Sequence, residues 1–125
     1  MGVPAEALLD TSALIEVLDR KRLELMPDQP HLSESVYEYV RYKRERRFYK
    51  MRLEEAFTVL PITNEVVEVA ADVFAQLKKR GTAVSENDIY IAATATAHGL
   101  PLLTRDRDYL KIGEVAPALR LYLVD

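Results

Sequence analysis

Short apolar runs alternate with amphipathic stretches along the whole chain, and no segment repeats. Ala7-Leu8-Leu9, ending in Asp10-Thr11-Ser12, reads as a buried strand breaking into a helix that is capped by Thr11 or Ser12 and runs to about Leu18. Pro27 and Pro30 interrupt the chain, and His31-Leu32-Ser33 then predicts a second short strand. A long basic helix is expected from near Ser35 through Tyr42 and, past a break, through Arg52-Leu53-Glu54-Glu55 into a third strand, Phe57 to Leu60. Pro61 closes that strand. Thr63 caps the clearest helix, with Val66, Ala70, Val73, Phe74 and Leu77 at core-facing spacing and Gly81 as its stop. Ser85 to His98 forms the next helix, with Ile89, Ala92, Ala93, Thr96 and Ala97 on one face and Gly99 behind it. Leu102-Leu103-Thr104 and Leu119 to Val124 supply the last two strands.

Strands alternating with helices define an α/β domain in which a central, mainly parallel sheet is covered by helices on both faces, a three-layer arrangement. A chain of 125 residues fills one such domain, residues 1–125. In such sheets ligands bind beyond the carboxyl ends of the strands, which directs attention to the residues just past each strand.

Composition narrows the chemistry. The chain is 49% hydrophobic and 30% charged, an ordinary globular balance that argues against disorder. It has no cysteine, which removes disulfides, thiolate metal sites and cysteine nucleophiles. With only His31 and His98, a three-histidine zinc site is out of reach, and both histidines read as structural. A net charge of -3 makes the chain no generic nucleic-acid binder, so contact with phosphate needs a local basic patch or a bridging cation. No apolar run reaches a membrane span and no leader pattern opens the chain, so a soluble, cytoplasmic protein is expected.

Carboxylates are plentiful, and four stand where strands end or helices begin. Asp10 comes directly after the first strand and Asp106 lies two residues past Thr104, while Glu38 and Asp88 fall in early helical turns. Brought to one edge, they form a cluster whose mutual repulsion a divalent cation would relieve; all-oxygen ligands favour magnesium or manganese. A metal held there polarises a phosphodiester and lowers the pKa of an attacking water, which is nuclease chemistry. A plainer role competes at each position. Ser85-Glu86-Asn87-Asp88 and Ser35-Val36-Tyr37-Glu38 both have capping-box spacing, and Asp10 and Asp106 can equally serve as turn or cap residues.

The pattern as a whole is more specific than its members. Leu8-Leu9-Asp10-Thr11-Ser12-Ala13-Leu14-Ile15 resembles the opening motif of PIN-domain ribonucleases, especially the VapC-like toxins of toxin-antitoxin pairs. Asp88-Ile89-Tyr90-Ile91-Ala92-Ala93-Thr94-Ala95 and Leu103-Thr104-Arg105-Asp106-Arg107-Asp108-Tyr109 resemble the third and fourth acidic motifs, and Ser35 to Arg41 is similar to the helix carrying the second acid. The likeness spans Leu8 to about Ile112. It implies a PIN-like fold and a magnesium- or manganese-dependent endoribonuclease with RNA as substrate and a small antitoxin as inhibitor. By that resemblance Asp10, Glu38, Asp88 and Asp106 are catalytic, with Asp10, Asp88 and Asp106 as metal ligands. Thr11, Ser12 and Thr104 would be hydroxyls orienting the carboxylates. Tyr42 stands where the family often has a glycine after the second acid, and Glu34 is the fallback for Glu38.

Arg41, Lys43, Arg44, Arg46, Arg47, Lys50 and Arg52 crowd a dozen residues among Tyr42, Phe48 and Tyr49. Three uses are open: Arg41, Arg44, Arg46 and Arg47 as RNA contacts beside stacking rings, a solvated helix whose rings pack inward, or an anchor surface for the antitoxin or a homodimer partner. Two other enzyme or signalling classes with a strand-end aspartate fit less well. Haloacid-dehalogenase-like phosphatases need an acid where Ser12 stands, and response-regulator receivers need an acidic pair and a late lysine. A PIN-like module that binds RNA or protein without turnover is the remaining alternative.

Overall fold

Leu8 and Leu9 leave the chain no exposed face, and the strand they build, β1 (Glu6–Leu9), is accordingly buried on both sides. The computed structural model describes every residue except Met1 and Tyr42, and among the described residues five strands form one sheet. The others are β2 (Gln29–Ser33), β3 (Thr58–Leu60), β4 (Leu102–Thr104) and β5 (Leu121–Leu123). Their order is β3-β2-β1-β4-β5, and every pairing is parallel, so the sheet expected to be mainly parallel is wholly so. The connections run from β1 outward through β2 to β3, then return to β4 on the other side of β1. That reversal opens a crevice beyond the carboxyl ends of β1 and β4, where Asp10 and the Arg105-Asp106 turn lie.

Alternation along the strands assigns side chains to two cores. Leu8 and Leu102 face α3 (Asn64–Lys79), α4 (Glu86–Ala97) and α5 (Tyr109–Val115). Ala7, Leu9, Leu32 and Leu103 face α1 (Thr11–Leu18), the 3-10 helix Glu34–Val40 and the single inward residue of α2 (Arg46–Ala56), Leu53. Three layers result. No helix among the described residues is long and apolar enough to cross a membrane.

Several sequence expectations need correction. The cap of α1 is Asp10 itself, whose carboxylate accepts the Ala13 N–H at 2.9 Å, and not Thr11 or Ser12. The long basic helix is two pieces, a 3-10 helix ending at Val40 and α2 beginning at Arg46; Tyr42, expected to continue the first piece, lies outside the described residues. β-branched and aromatic residues at 36, 37, 39 and 40 weaken α-helix propensity there. Its cap is Ser33, which accepts the Ser35 N–H at 3.2 Å, so the expected Ser35–Glu38 capping box is not formed. Phe74 is 54% exposed and outside the core, because α3 buries the narrower stripe Val66, Ala70, Val73 and Leu77. In α4, Ile91, Thr94 and Ala95 join the buried face, and Thr96 and Ala97 are only partly covered. The pattern also missed α5, a short helix that carries Gly113 and whose first turn has no side-chain cap.

Candidate active site

Asp10 leaves β1 with its backbone N–H on the Leu103 carbonyl at 3.1 Å, which locks the end of β1 to β4. Its side chain is 3% exposed and fully engaged. Besides the Ala13 N–H, it accepts the Ser12 hydroxyl at 2.8 Å and the Thr104 hydroxyl at 2.7 Å. The two hydroxyl oxygens in turn accept backbone N–H groups of the next turn, Ser12 from Arg105 at 2.9 Å and Thr104 from Asp106 at 2.9 Å. Both hydroxyls lie within donating distance of Asp10 and 3.2 Å from each other. One network therefore fixes Asp10 and sets the backbone that presents Asp106. Asp106 also accepts the Asp108 N–H at 2.9 Å, closing the turn.

The third acid arrives from the opposite layer. Ser85 caps α4 by accepting the Asp88 N–H at 3.1 Å, and the Asp88 carboxylate accepts the Tyr109 hydroxyl at 3.1 Å. Capping and a place in the site thus coexist. Tyr109 is completely buried on α5, and its hydroxyl is pushed up by burial and by the charges of Asp10, Asp88 and Asp106, so it stays a neutral donor. No role for Tyr109 was readable in the sequence, although it closes the Leu103-to-Tyr109 segment.

Burial pushes the Asp10 carboxyl up; the bonds from Ala13, Thr104 and Ser12 pull it part of the way back, and the Asp88 charge adds to the rise. Burial also raises Asp88, the Tyr109 bond opposes it, and Asp106 and Asp108 raise it further. Asp10, Asp88 and Asp106 thus stand at one edge within electrostatic reach, Asp10 held by hydroxyl and amide donors, Asp88 by the Tyr109 hydroxyl and Asp106 by the Asp108 amide. Glu38 is exposed, pairs with Arg41 at 3.8 Å, and lines an open cleft. Glu34 receives the Ile62 N–H at 2.9 Å and so fastens the end of β3. Thr11 opens α1 outside the Asp10 hydrogen-bond network among the described residues. His31 bonds Glu6 at 3.0 Å and His98 caps α4, both away from the acids.

The sign of these shifts gives a stability prediction. A carboxyl whose folded pKa is raised contributes stability below its ordinary value, 3.8 for aspartate, that is lost as pH rises through the folded value. In EDTA at pH 7, Asp10→Asn therefore melts at or above the wild-type temperature. Asparagine preserves the helix cap, and the advantage disappears at about pH 3.5. Thermal unfolding across that range checks it; a substantial drop at pH 7 would contradict it.

The cleft that Glu38 lines has a volume of about 680 Å³ and begins at Glu86 and Asn87 in the first turn of α4, next to Asp88. Arg41, Arg46, Arg47 and Lys50 form its basic wall, and Arg44 is exposed at the start of the same segment. Inward packing does not hold for Phe48 and Tyr49, which are 50% and 37% exposed, and Tyr42 lies outside the described residues. Lys43 lies over the Tyr39 and Tyr49 rings at 4.7 and 5.3 Å.

A second buried carboxylate was not anticipated. Glu16 is 2% exposed and meets Arg105 at 2.6 Å, Arg20 at 3.0 Å and Arg22 at 3.4 Å. Burial opposes its charge, but the guanidiniums of Arg20 and Arg105 outweigh burial and hold the carboxyl below its ordinary range. The signal was present: Glu16 shares the helical face of Ala13 and Val17, where an acid needs a partner, and Arg20 lies one turn on.

The β1 and β4 ends thus carry an aspartate each, a third stands at the start of α4, and Ser12 and Thr104 join the first two through hydrogen bonds. The PIN domain family model matches residues 7–115, and the chain belongs to that family. It is similar to ribonuclease VapC1 of Methanocaldococcus jannaschii, with 28% identity over 109 residues covering 86% of this chain and 80% of that one. Ribonuclease VapC4 of Mycobacterium tuberculosis is 39% identical over 70 residues, 56% of this chain and 54% of that one. Among solved structures, VapBC-5 of Mycobacterium tuberculosis, a member of the VapBC family of toxin-antitoxin systems, matches with a TM-score of 0.75 and 26% identity, covering 97% of this chain and 100% of that one.

Proposed function

We propose that this protein is a magnesium- or manganese-dependent endoribonuclease and the toxin of a VapBC-type pair. The observation that carries the reading is that Asp10, Asp88 and Asp106 lie within electrostatic reach of one another near the switch point of the sheet, in a chain whose relatives VapC1 and VapC4 are named ribonucleases. The donor set suits a hard divalent cation, since it is all oxygen and burial leaves Asp10 and Asp88 short of compensating charge. Among the described residues no three acids yet form a closed cage. Asp10 is fixed by its hydrogen bonds, while Asp88 and Asp106 are half-buried and each accept one hydrogen bond, from the Tyr109 hydroxyl and the Asp108 N–H. When bound, the cation supplies a Lewis acid for the phosphodiester and an acidified water.

The chain's own residues do the rest. Ser12 and Thr104 aim the Asp10 oxygens, Tyr109 steadies Asp88 as a neutral donor, and the Arg105-Asp106 turn sets the height of Asp106. Glu38, or Glu34 in its place, is a further acid in this reading, reached along the cleft rather than through the hydroxyl network. The basic wall binds the RNA backbone, with Arg41, Arg44, Arg46 and Arg47 as phosphate contacts. The exposed rings of α2 offer a docking face for a small antitoxin and for a second copy of the chain.

The direct test is cleavage of a labelled single-stranded RNA, which should proceed with magnesium or manganese and stop in EDTA. RNA binding with no cleavage under either metal would replace the enzyme by a binding module. A change of Arg44, Arg46 and Arg47 together to glutamine should flatten the salt dependence of RNA binding by roughly 0.7 per lost contact on a log-log plot. An unchanged slope would move the phosphate path elsewhere.

A further inference from the structure

The Glu16 cluster contains more positive charge than a structural pair needs. Buried Glu16 faces three guanidiniums, of which Arg22 also pairs with exposed Glu24 at 3.3 Å, and the arginine side chains remain 59% (Arg20), 34% (Arg22) and 46% (Arg105) exposed. The net excess is therefore held rigidly and turned toward solvent. Arg105 is the member closest to the chemistry. It stands between Thr104 and Asp106, its backbone N–H on Ser12, and its side chain reaches back along α1 to Glu16 through Nη1 alone. Among the described residues no further acceptor meets its remaining guanidinium N–H groups.

Position separates this group from the basic wall of α2. That helix packs on β3, at one margin of the sheet, whereas Arg22 bonds the Asp125 carbonyl just past β5, at the other. The acidic edge accordingly has guanidiniums on both flanks. We propose that Arg105, anchored by Glu16, binds a phosphate of the RNA strand on the β5 side of the carboxylates, so that the strand crosses the acidic edge between two cationic contacts. The inference rests on the ribonuclease reading for the identity of the strand. A planar fork already docked on a buried carboxylate loses little rotamer freedom on meeting a phosphate.

The experiment measures binding of a fluorescein-labelled single-stranded RNA by anisotropy in EDTA over a series of KCl concentrations. Arg105→Gln should reduce the log-log slope by about 0.7, whereas Arg105→Lys, which keeps the charge, and Arg107→Gln, in the same turn, keep it. An unchanged slope for Arg105→Gln overturns the proposal and leaves the ribonuclease reading intact. Wild-type protein that binds RNA with no salt dependence overturns both. If Arg105→Gln does not fold, wild-type protein decides: RNA should slow modification of Arg105 by phenylglyoxal, read by peptide mass spectrometry, and equal rates with and without RNA overturn the assignment.

Discussion

Asp10→Asn should lower RNA turnover by more than about 10²-fold while leaving the protein folded, because metal-assisted hydrolysis depends on the charge of the ligand and not on its shape. The substitution isolates that charge. Asparagine is as good a helix cap as aspartate and keeps an oxygen for the Ala13 N–H. Asp88→Asn and Asp106→Asn should fall into the same class. Thr104→Val removes a hydroxyl that donates to Asp10 and accepts from Asp106, and an outer support of this kind is worth roughly 10- to 100-fold. Single-turnover cleavage at saturating magnesium measures all four. Retention by Asp10→Asn of more than about a tenth of wild-type turnover would remove the carboxylate from the chemistry.

The largest effect on stability is expected at Tyr109. Its ring is wholly buried in the core shared by α3, α4 and α5, and Tyr109→Ala should cost about 3–5 kcal/mol, as large aromatic truncations do. Tyr109→Phe separates the hydroxyl from the ring. It fills the same space and loses one hydrogen bond to a half-exposed carboxylate, so its cost should be about 1 kcal/mol. Urea unfolding with an unchanged m value checks both. A loss for Phe as large as for Ala would mean that the hydroxyl, and not the packing, holds α5 in place.

How much of the molecule is legible in the sequence depends on how local each signal is. The strand ends at Leu9 and Thr104 and the caps Thr63 and Ser85 depend on neighbouring residues, and the structure has them where those residues put them. Asp10 and Asp106 were therefore findable as strand-end acids, and Asp88 as the acid of a capped first turn. The chemistry of the site was less local. That Ser12 and Thr104 both donate to Asp10 depends on the register of β1 with β4, far apart in the chain, and Tyr109 reaches Asp88 only because α5 folds under α4. The burial of Glu16 also depends on a distant partner, Arg105 from the turn after β4. The helix expected around Glu38 failed for a local reason, since Ser33 captured the Ser35 N–H and the β-branched and aromatic run wound more tightly.

Whether Asp10, Asp88 and Asp106 hold one divalent cation is decided by a crystal of the wild-type protein soaked in manganese. A strong anomalous peak is expected at the carboxyl ends of β1 and β4, in contact with Asp10 and at least one of Asp88 and Asp106, and is expected to vanish in Asp10→Asn. Manganese bound elsewhere, with Asp10 still held by Ala13, Ser12 and Thr104, Asp88 by Tyr109 and Asp106 by the Asp108 N–H, would contradict it.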